Sequence, residues 1–364
     1  MPQLKCDCGG HVHVEFQTVR PRQRIWDDVE ADMREHYGWG ESLRAIKAVL
    51  DRRIGSSLGL RTINERIHAV QAVAHQWRQR KQPECPPVVR LDGLWVPQMV
   101  RTGKTRRDAL GRNRPVKRGE RHPLLVAQGV WPASGRQAVV GWVLSEGEDS
   151  EGWTTLLQQM WDRNIRPQAG LRLLVADGTT GLPPARELVY WNTGSQRCTF
   201  HKLDNIWDDI IPPEELSRSE ALNYKKEILQ GAQRIWQAGD EDTARERKTT
   251  WCLRWEFEQP KAVATAQRDF DQTVTFYQVQ ADAAQRGETG PATYLRTTSH
   301  LERLFRVVRR HVRQAMVLHS PTGLVALAYQ SFTRWAAGQS SQPQDRADWP
   351  FKLERVIAGG VPIS

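Results

Sequence analysis

Three acidic residues have both the type and the setting to do chemistry: Asp92 in "RLDGLWV", Asp177 in "VADGTTG" and Glu302 in "TTSHLERLFRVVRR". Each aspartate follows an apolar run and precedes a glycine, and the glutamate opens a segment in which nearly every other charge is arginine. Carboxylates held a few ångströms apart raise one another's pKa or recruit counter-charge. Hard divalent ions supply that charge, because oxygen ligands suit magnesium or manganese better than zinc. Two such ions roughly 3.5–4 Å apart clamp the attacking and leaving oxygens of an in-line phosphoryl displacement. If the three acids meet, the chemistry is therefore that of phosphodiesters. Structural explanations compete for each residue taken alone. Asp-Gly is a common hairpin signal, and Ser299-x-x-Glu302 has the form of a capping box.

Whether they meet depends on the elements that carry them. Residues 88–96, with Asp92 inside, read as a strand, and a strongly basic loop follows over 101–122. Residues 124–130 and 137–144 read as two further strands around a turn at Ala133-Ser134-Gly135, and 151–163 is an amphipathic helix. The run 171–176 is apolar apart from Arg172, as a buried parallel strand would be, and ends at Asp177-Gly178. A helix over 184–190, a short strand over 196–200 and a helix from His201 complete an α/β sheet with a mixed edge. If the first and fourth strands are neighbours, Asp92 and Asp177 converge. Residues 214–286 turn helical and charged, an insertion rather than more sheet, before the chain returns to the Glu302 helix. There Leu301, Leu304, Phe305, Val308 and Val312 form an apolar stripe, with Glu302, Arg306, Arg309 and Arg313 on a neighbouring face. Such arginines can hold backbone phosphates beside the acids.

Ahead of the sheet, residues 25–80 show helical periodicity in three pieces, broken at Tyr37-Gly38-Trp39-Gly40 and at Gly55. The third carries Arg61, Asn64 and Arg66. The arrangement is that of a helix-turn-helix whose last helix enters a major groove, or of a small interaction bundle with the same periodicity. Pro83, Pro86 and Pro87 mark a linker. Residues 1–23 contain Cys6-x-Cys8, Gly9-Gly10, His11 and His13, which resemble one knuckle of a zinc ribbon. A closed zinc site usually needs two such pairs, so a degenerate or truncated ribbon is expected, with zinc at Cys6 and Cys8 the alternative.

The bulk numbers agree with a nucleic-acid partner. Lysine and arginine total 52 against 42 acids, a net charge of +10, which favours a polyanion. Five scattered cysteines are too few for a disulfide-stapled secreted domain and point to a reducing compartment. The first residues lack the apolar core of a signal peptide, and no run approaches the roughly 18 apolar residues of a membrane span. A chain of 364 residues exceeds the usual reach of one core, so two or three domains are expected.

The stretch "VADGTTGLPPARELVYWNTGSQRCTFHKLDNI", residues 175–206, resembles the second-aspartate block of Mutator-like DDE transposases and related bacterial insertion-sequence transposases. That block combines Asp-Gly, a helix and a Cys-x-x-His on the following strand, here Cys198 and His201. "TTSHLERLFRVVRR" resembles the family's glutamate block and "RLDGLWV" its first-aspartate strand, a likeness spanning about 88–330. The family often has asparagine where Ser299 stands.

The resemblance implies an α/β fold with a ribonuclease H-like mixed sheet, an all-helical insertion and a preceding helix-turn-helix domain. Asp92, Asp177 and Glu302 match the family's metal-binding triad for two Mg²⁺ or Mn²⁺ ions, with Cys198 and His201 shaping the site. The implied activity is DNA end cleavage and strand transfer. Implied partners are terminal inverted repeats and target DNA, with a homodimer or larger assembly at synapsis, in a prokaryotic cytoplasm. The expected layout is a ribbon-like segment (1–23), helix-turn-helix (24–80), core (88–212), helical insertion (213–290), second part of the core (291–335) and tail (336–364). In related transposases with helical insertions an aromatic stacks on a displaced base. Trp251 is the candidate here, against the alternative of a packed core tryptophan. A domesticated DNA-binding copy would be marked by a lost acid, and a junction-resolving nuclease by the absence of so large an insertion.

Overall fold

The computed structural model describes residues 3–5, 11–13, 25, 27–55, 58–288, 290–314 and 321–339. Two short strands, β1 (Gln3–Lys5) and β2 (His11–His13), pair antiparallel. Cys6 and Cys8, and with them the degenerate or truncated ribbon expected there, lie outside the described residues. Four helices follow: α1 (Asp27–Gly38), α2 (Leu43–Ile54), α3 (Leu60–His68) and α4 (Val70–Gln79). The Ser42 hydroxyl caps α2 by accepting the Ala45 amide, and Gly55, with φ of 60°, ends it in the left-handed conformation that suits glycine. The single helix expected to continue beyond Ile67 is instead interrupted at Ala69, so there are four helices where three were expected. Ile25, Met33, Ile46, Leu50, Ile63 and Ile67 make their common core.

The central sheet has the strand order β5-β4-β3-β6-β7, from β3 (Val88–Arg107), β4 (Asn113–Trp131), β5 (Arg136–Leu144), β6 (Leu173–Ala176) and β7 (Gly194–Arg197). β4 and β5 are antiparallel, whereas β6 is parallel to both β3 and β7. All four side chains of β6 are buried, because helices cover both faces. Side chains alternate along a strand. Leu173 and Val175 therefore join one core with Leu203, Ile206 and Ile228, while Leu174 and Ala176 join another with Trp153, Leu157, Met160 and Tyr190. The second core belongs to α5 (Ser150–Asp162) and α6 (Leu182–Tyr190), and α7 (Thr199–Asp209) supplies part of the first.

Two expectations are corrected. The basic stretch 101–122 is not a loop: β3 and β4 run on through it and are joined by a short turn. The strand expected over 196–200 stops at Arg197, and α7 begins at Thr199 with Cys198 at its cap position. Phe200, Leu203 and Ile206 are buried at helical spacing, and so short an apolar run is ambiguous until its packing is known. Cys198 and His201 thus sit at a strand-to-helix junction, not on a strand.

Beyond α7 come α8 (Arg218–Gln233), α9 (Glu241–Trp255), α10 (Pro260–Gln267) and α11 (Thr275–Gln285), the expected helical insertion. Trp251 is buried there, its Nε1 donating to the Ile228 carbonyl at 3.0 Å. It lies so close to Gly231 that a Cβ at that glycine would come within 2.9 Å of the ring. It is a packing residue in this structure, not an exposed stacking platform. The chain ends its described course with α12 (Thr293–Arg296), α13 (Ser299–Gln314) and α14 (Pro321–Gln339). No described helix is long and apolar enough to cross a membrane.

The chain divides into two compact units. The larger is built mainly from Arg78–Trp95 and His122–Phe305, the smaller from residues of Met1–Trp77 with Val96–Arg121 and Arg306–Arg334.

Candidate active site

The register of the two central strands decides where the aspartates fall. β3 and β6 pair Val88 with Leu173 through to Leu91 with Ala176. The next residues along each strand are Asp92 and Asp177, side by side at the carboxyl end of β6. Each is steadied by its own following amide: Gly93 N donates to Asp92 Oδ1 at 2.8 Å and Gly178 N to Asp177 Oδ1 at 2.6 Å. Asp92-Gly93 lies within β3, so the hairpin explanation does not apply. Both glycines have a charged side-chain end close by. A Cβ on Gly93 would lie 3.0 Å from the Glu148 carboxylate, and one on Gly178 would lie 2.5 Å from the Arg197 guanidinium.

Glu302 arrives on α13. The Thr298 carbonyl accepts the amides of Leu301 and Glu302, at 2.8 and 3.3 Å, so Thr298 holds the cap position and Ser299 stands one residue inside the helix. The expected capping box is therefore out of register. The sulfur of Cys198 accepts from the Thr298 amide at 3.3 Å and from its hydroxyl at 3.4 Å. The Cys198 amide meanwhile donates to the Ala176 carbonyl at 2.7 Å, and the Thr199 hydroxyl to the Arg296 carbonyl at 3.1 Å. One residue thus ties the strand of Asp177 to the start of the Glu302 helix. Buried Leu301, Leu304 and Phe305 seat that helix.

The first turn of α7 places His201 between two acids. Its Nε2 lies 3.2 Å from Glu302 Oε1 and its Nδ1 3.8 Å from Asp177 Oδ1. Burial alone would lower the imidazole, but the charges of Cys198, Asp177 and Asp92 outweigh it and hold His201 up at about 10. Cys198 is the converse: burial would raise the thiol, whereas His201 and the Thr298 donors bring it down to about 6. Burial pushes the Asp92 carboxyl up to about 7, helped by Cys198 and Asp177 and opposed by His201 and the Gly93 amide.

Sequence reasoning missed two participants. Glu148 is a fourth carboxylate, raised by burial and by Asp177 against the pull of Trp95, whose Nε1 donates to it at 3.1 Å. Nothing in "SEGEDS" distinguishes it from a surface loop. Arg90, two residues before Asp92, is fully buried and donates to Gln128 and Gln137 at 3.2 and 3.1 Å and to the Tyr294 carbonyl at 3.3 Å. It braces β3 against α12, just ahead of the Glu302 helix. An arginine inside an apolar strand was the available signal.

The candidate DNA-contacting residues occupy other places. Arg61 is exposed and paired with Glu65 at 2.8 Å, Arg66 is paired with Glu30 at 3.0 Å, and Asn64 is half-buried. Arg306, Arg309 and Arg313 are exposed along α13. As a donor set, Asp92, Asp177 and Glu302 are all oxygen and anionic, which fits a hard divalent cation. The Asp92 carboxyl is raised chiefly by burial, with Asp177 adding to the shift. Among the described residues no three such groups already surround a single point; the imidazole of His201 stands between two of them as the cation.

Comparison with known proteins points to one family. The family model described as "Transposase, Mutator family" matches residues 10–329. The transposase for insertion sequence element IS406 of Burkholderia multivorans is 26% identical over 309 residues, covering 82% of this chain and 68% of that protein. The transposase for IS256 in transposon Tn4001 of Staphylococcus aureus is 25% identical over 304 residues, with the same 82% and 68%. The transposase for IS6120 of Mycolicibacterium smegmatis is 29% identical over 218 residues, covering 59% of this chain and 61% of that protein. Among solved structures, the Drosophila P element transposase strand transfer complex aligns with 97% of this chain and 89% of that one, at 11% identity and a TM-score of 0.34, too loose a match to fix the fold.

Proposed function

The chain belongs to the Mutator family of transposases, and from that premise we propose that this DNA transposase works by a DDE-type reaction in a ribonuclease H-like core. The strand order β5-β4-β3-β6-β7, with β3 and β6 parallel at its centre and a helical insertion before the glutamate, supports that reading of the core. Asp92, Asp177 and Glu302 would hold two divalent ions, Mg²⁺ or Mn²⁺. Bound there, the ions would supply Lewis-acid stabilisation of the attacking and leaving oxygens of a phosphodiester.

The chain's own residues do the rest. Asp92 and Asp177 are oriented by their own glycine amides, Cys198 fixes the start of the Glu302 helix, and His201 carries the positive charge that keeps the acids from repelling one another. The arginines of α13 would hold backbone phosphates, while α3, through Arg61, Asn64 and Arg66, would read terminal inverted repeats. Exposed ion pairs such as Arg61–Glu65 are worth little and exchange readily for a phosphate. Target DNA is the second substrate, and synapsis of two ends implies at least a homodimer.

The observation that carries the proposal is His201 lying 3.8 Å from Asp177 and 3.2 Å from Glu302, with Asp92 next to Asp177 by the β3–β6 register. The test is Mg²⁺-dependent nicking and joining of a DNA duplex bearing a terminal repeat, compared between the wild type and Asp177→Asn. Nicking and joining should both disappear; unchanged cleavage by the variant removes the assignment, and nicking without joining by the wild type reduces the protein to a nuclease.

A further inference from the structure

We propose that the outer halves of β3 and β4, the ribbon of residues 101–121, are a DNA-gripping element that lies in the groove of double-stranded DNA and holds it through phosphates regardless of sequence. The proposal rests on the chain acting on DNA and not on the assignment of the three acids. Within 101–121 there are nine lysines and arginines against two carboxylates, Asp108 and Glu120. That surplus of seven compares with ten for the whole chain, so most of the net positive charge is concentrated in one hairpin.

Its shape suits the task. The five-residue link between β3 and β4 is too short for a crossover, so the strands run antiparallel. Every residue of β3 from 101 to 107 is exposed, as are 113–115 of β4. Alternation along the strand sends Lys104 and Arg106 to one face and Arg101 and Arg107 to the other. Both faces are therefore cationic, as suits a body flanked by phosphate walls on either side. Seven strand residues extend roughly 23 Å, and a two-stranded ribbon is one of the two elements that fit a B-DNA major groove about 12 Å wide.

The ribbon has no apolar face to offer a protein core, its one large exposed apolar residue being Leu110 at the turn. The turn is rigid. The Asp108 carboxylate accepts the amides of Leu110 and Arg112 at 2.9 and 3.0 Å, and Gly111 adopts a φ of 75°. The same carboxylate takes Arg112 and Arg114 at 2.9 and 3.0 Å, so the tip is preorganised and little ordering is required on binding.

The test uses the full chain in EDTA, so that no metal-dependent step contributes. The probes are two fluorescent duplexes, one bearing a terminal repeat and one of unrelated sequence, titrated from about 50 to about 200 mM salt. The variant is Lys104→Gln/Arg106→Gln/Arg107→Gln/Lys117→Gln, checked for wild-type melting. The plot of log affinity against log salt should flatten by about 0.9 for each phosphate no longer neutralised, roughly 2 to 4 in total. Affinity should fall by roughly tenfold or more on both duplexes alike. The charge-keeping Lys104→Arg/Arg106→Lys/Arg107→Lys/Lys117→Arg should retain the wild-type slope. If the fourfold variant does not fold, Arg106→Gln/Arg107→Gln reads the same slope with half the change. An unchanged slope, a loss confined to the terminal-repeat duplex, or an altered oligomeric state with unaltered DNA affinity would overturn the proposal.

Discussion

Replacing Asp92 with asparagine should stabilise the metal-free protein at alkaline pH while abolishing its activity. The carboxyl is moved from its ordinary 3.8 to about 7, chiefly by burial. A carboxyl so raised binds its proton more tightly in the folded chain than in the unfolded one. Stability therefore declines as pH rises from about 4 to about 7 and is level above that. At 1.36 kcal/mol for each tenfold change in proton affinity, ionised Asp92 costs at most about 4 kcal/mol, and water at its half-buried edge reduces that. Asparagine keeps the oxygen that accepts the Gly93 amide and cannot ionise. In urea unfolding with EDTA, the variant's advantage over the wild type should widen by roughly 1–3 kcal/mol between about pH 5 and about pH 8. Excess Mg²⁺ should then raise the wild type and not the variant, by about 2.7 kcal/mol at a hundredfold excess over Kd. A variant less stable than the wild type at pH 8, or an advantage independent of pH, would refute the claim that the cluster stores uncompensated charge.

Three further outcomes are expected. His201→Gln removes an imidazolium held up at about 10; the wild type's advantage, on the order of 1–3 kcal/mol, should be complete below about pH 6.5 and vanish as pH rises through about 10, whereas a loss constant with pH would assign His201 to packing alone. Cys198→Val deletes the acceptor for the Thr298 amide and hydroxyl and should cost about 1–3 kcal/mol. Hydrogen exchange at the Thr298 amide should accelerate in Cys198→Val and much less in Cys198→Ser; equal rates in both would refute the tether. Trp251→Ala should lose about 3–5 kcal/mol in urea unfolding yet bind DNA as the wild type does when both are folded, and a selective loss of DNA affinity would restore the stacking role.

Local periodicity made much of this protein legible in advance. The largely apolar run 171–176 read as a buried strand, and the charged stretch after 213 read as helix rather than sheet, as β6 and α8–α11 are. Asp92 and Asp177 both sit in or at the end of strands, so a parallel pairing of those strands was enough to bring them together, as the β3–β6 register does. The ribbon 101–121 was not legible because its strands have no buried face. They are held by backbone pairing to each other, for which charge-rich sequence gives no periodic sign. The Ser299-x-x-Glu302 pattern was a true local motif one residue out of register, since the hydrogen bonds of α13 start at Thr298.

Residue type and spacing, being local properties, already marked which side chains have the chemistry and which elements carry them. Tertiary structure alone decided that His201, rather than an arginine of the Glu302 helix, faces Asp177 and Glu302. It also decided that Cys198 joins a strand end to a helix start and that Glu148 stands beside the aspartates. These depend on how segments distant in the chain approach one another, and the energy of a charge is set by the neighbours and the burial it acquires there.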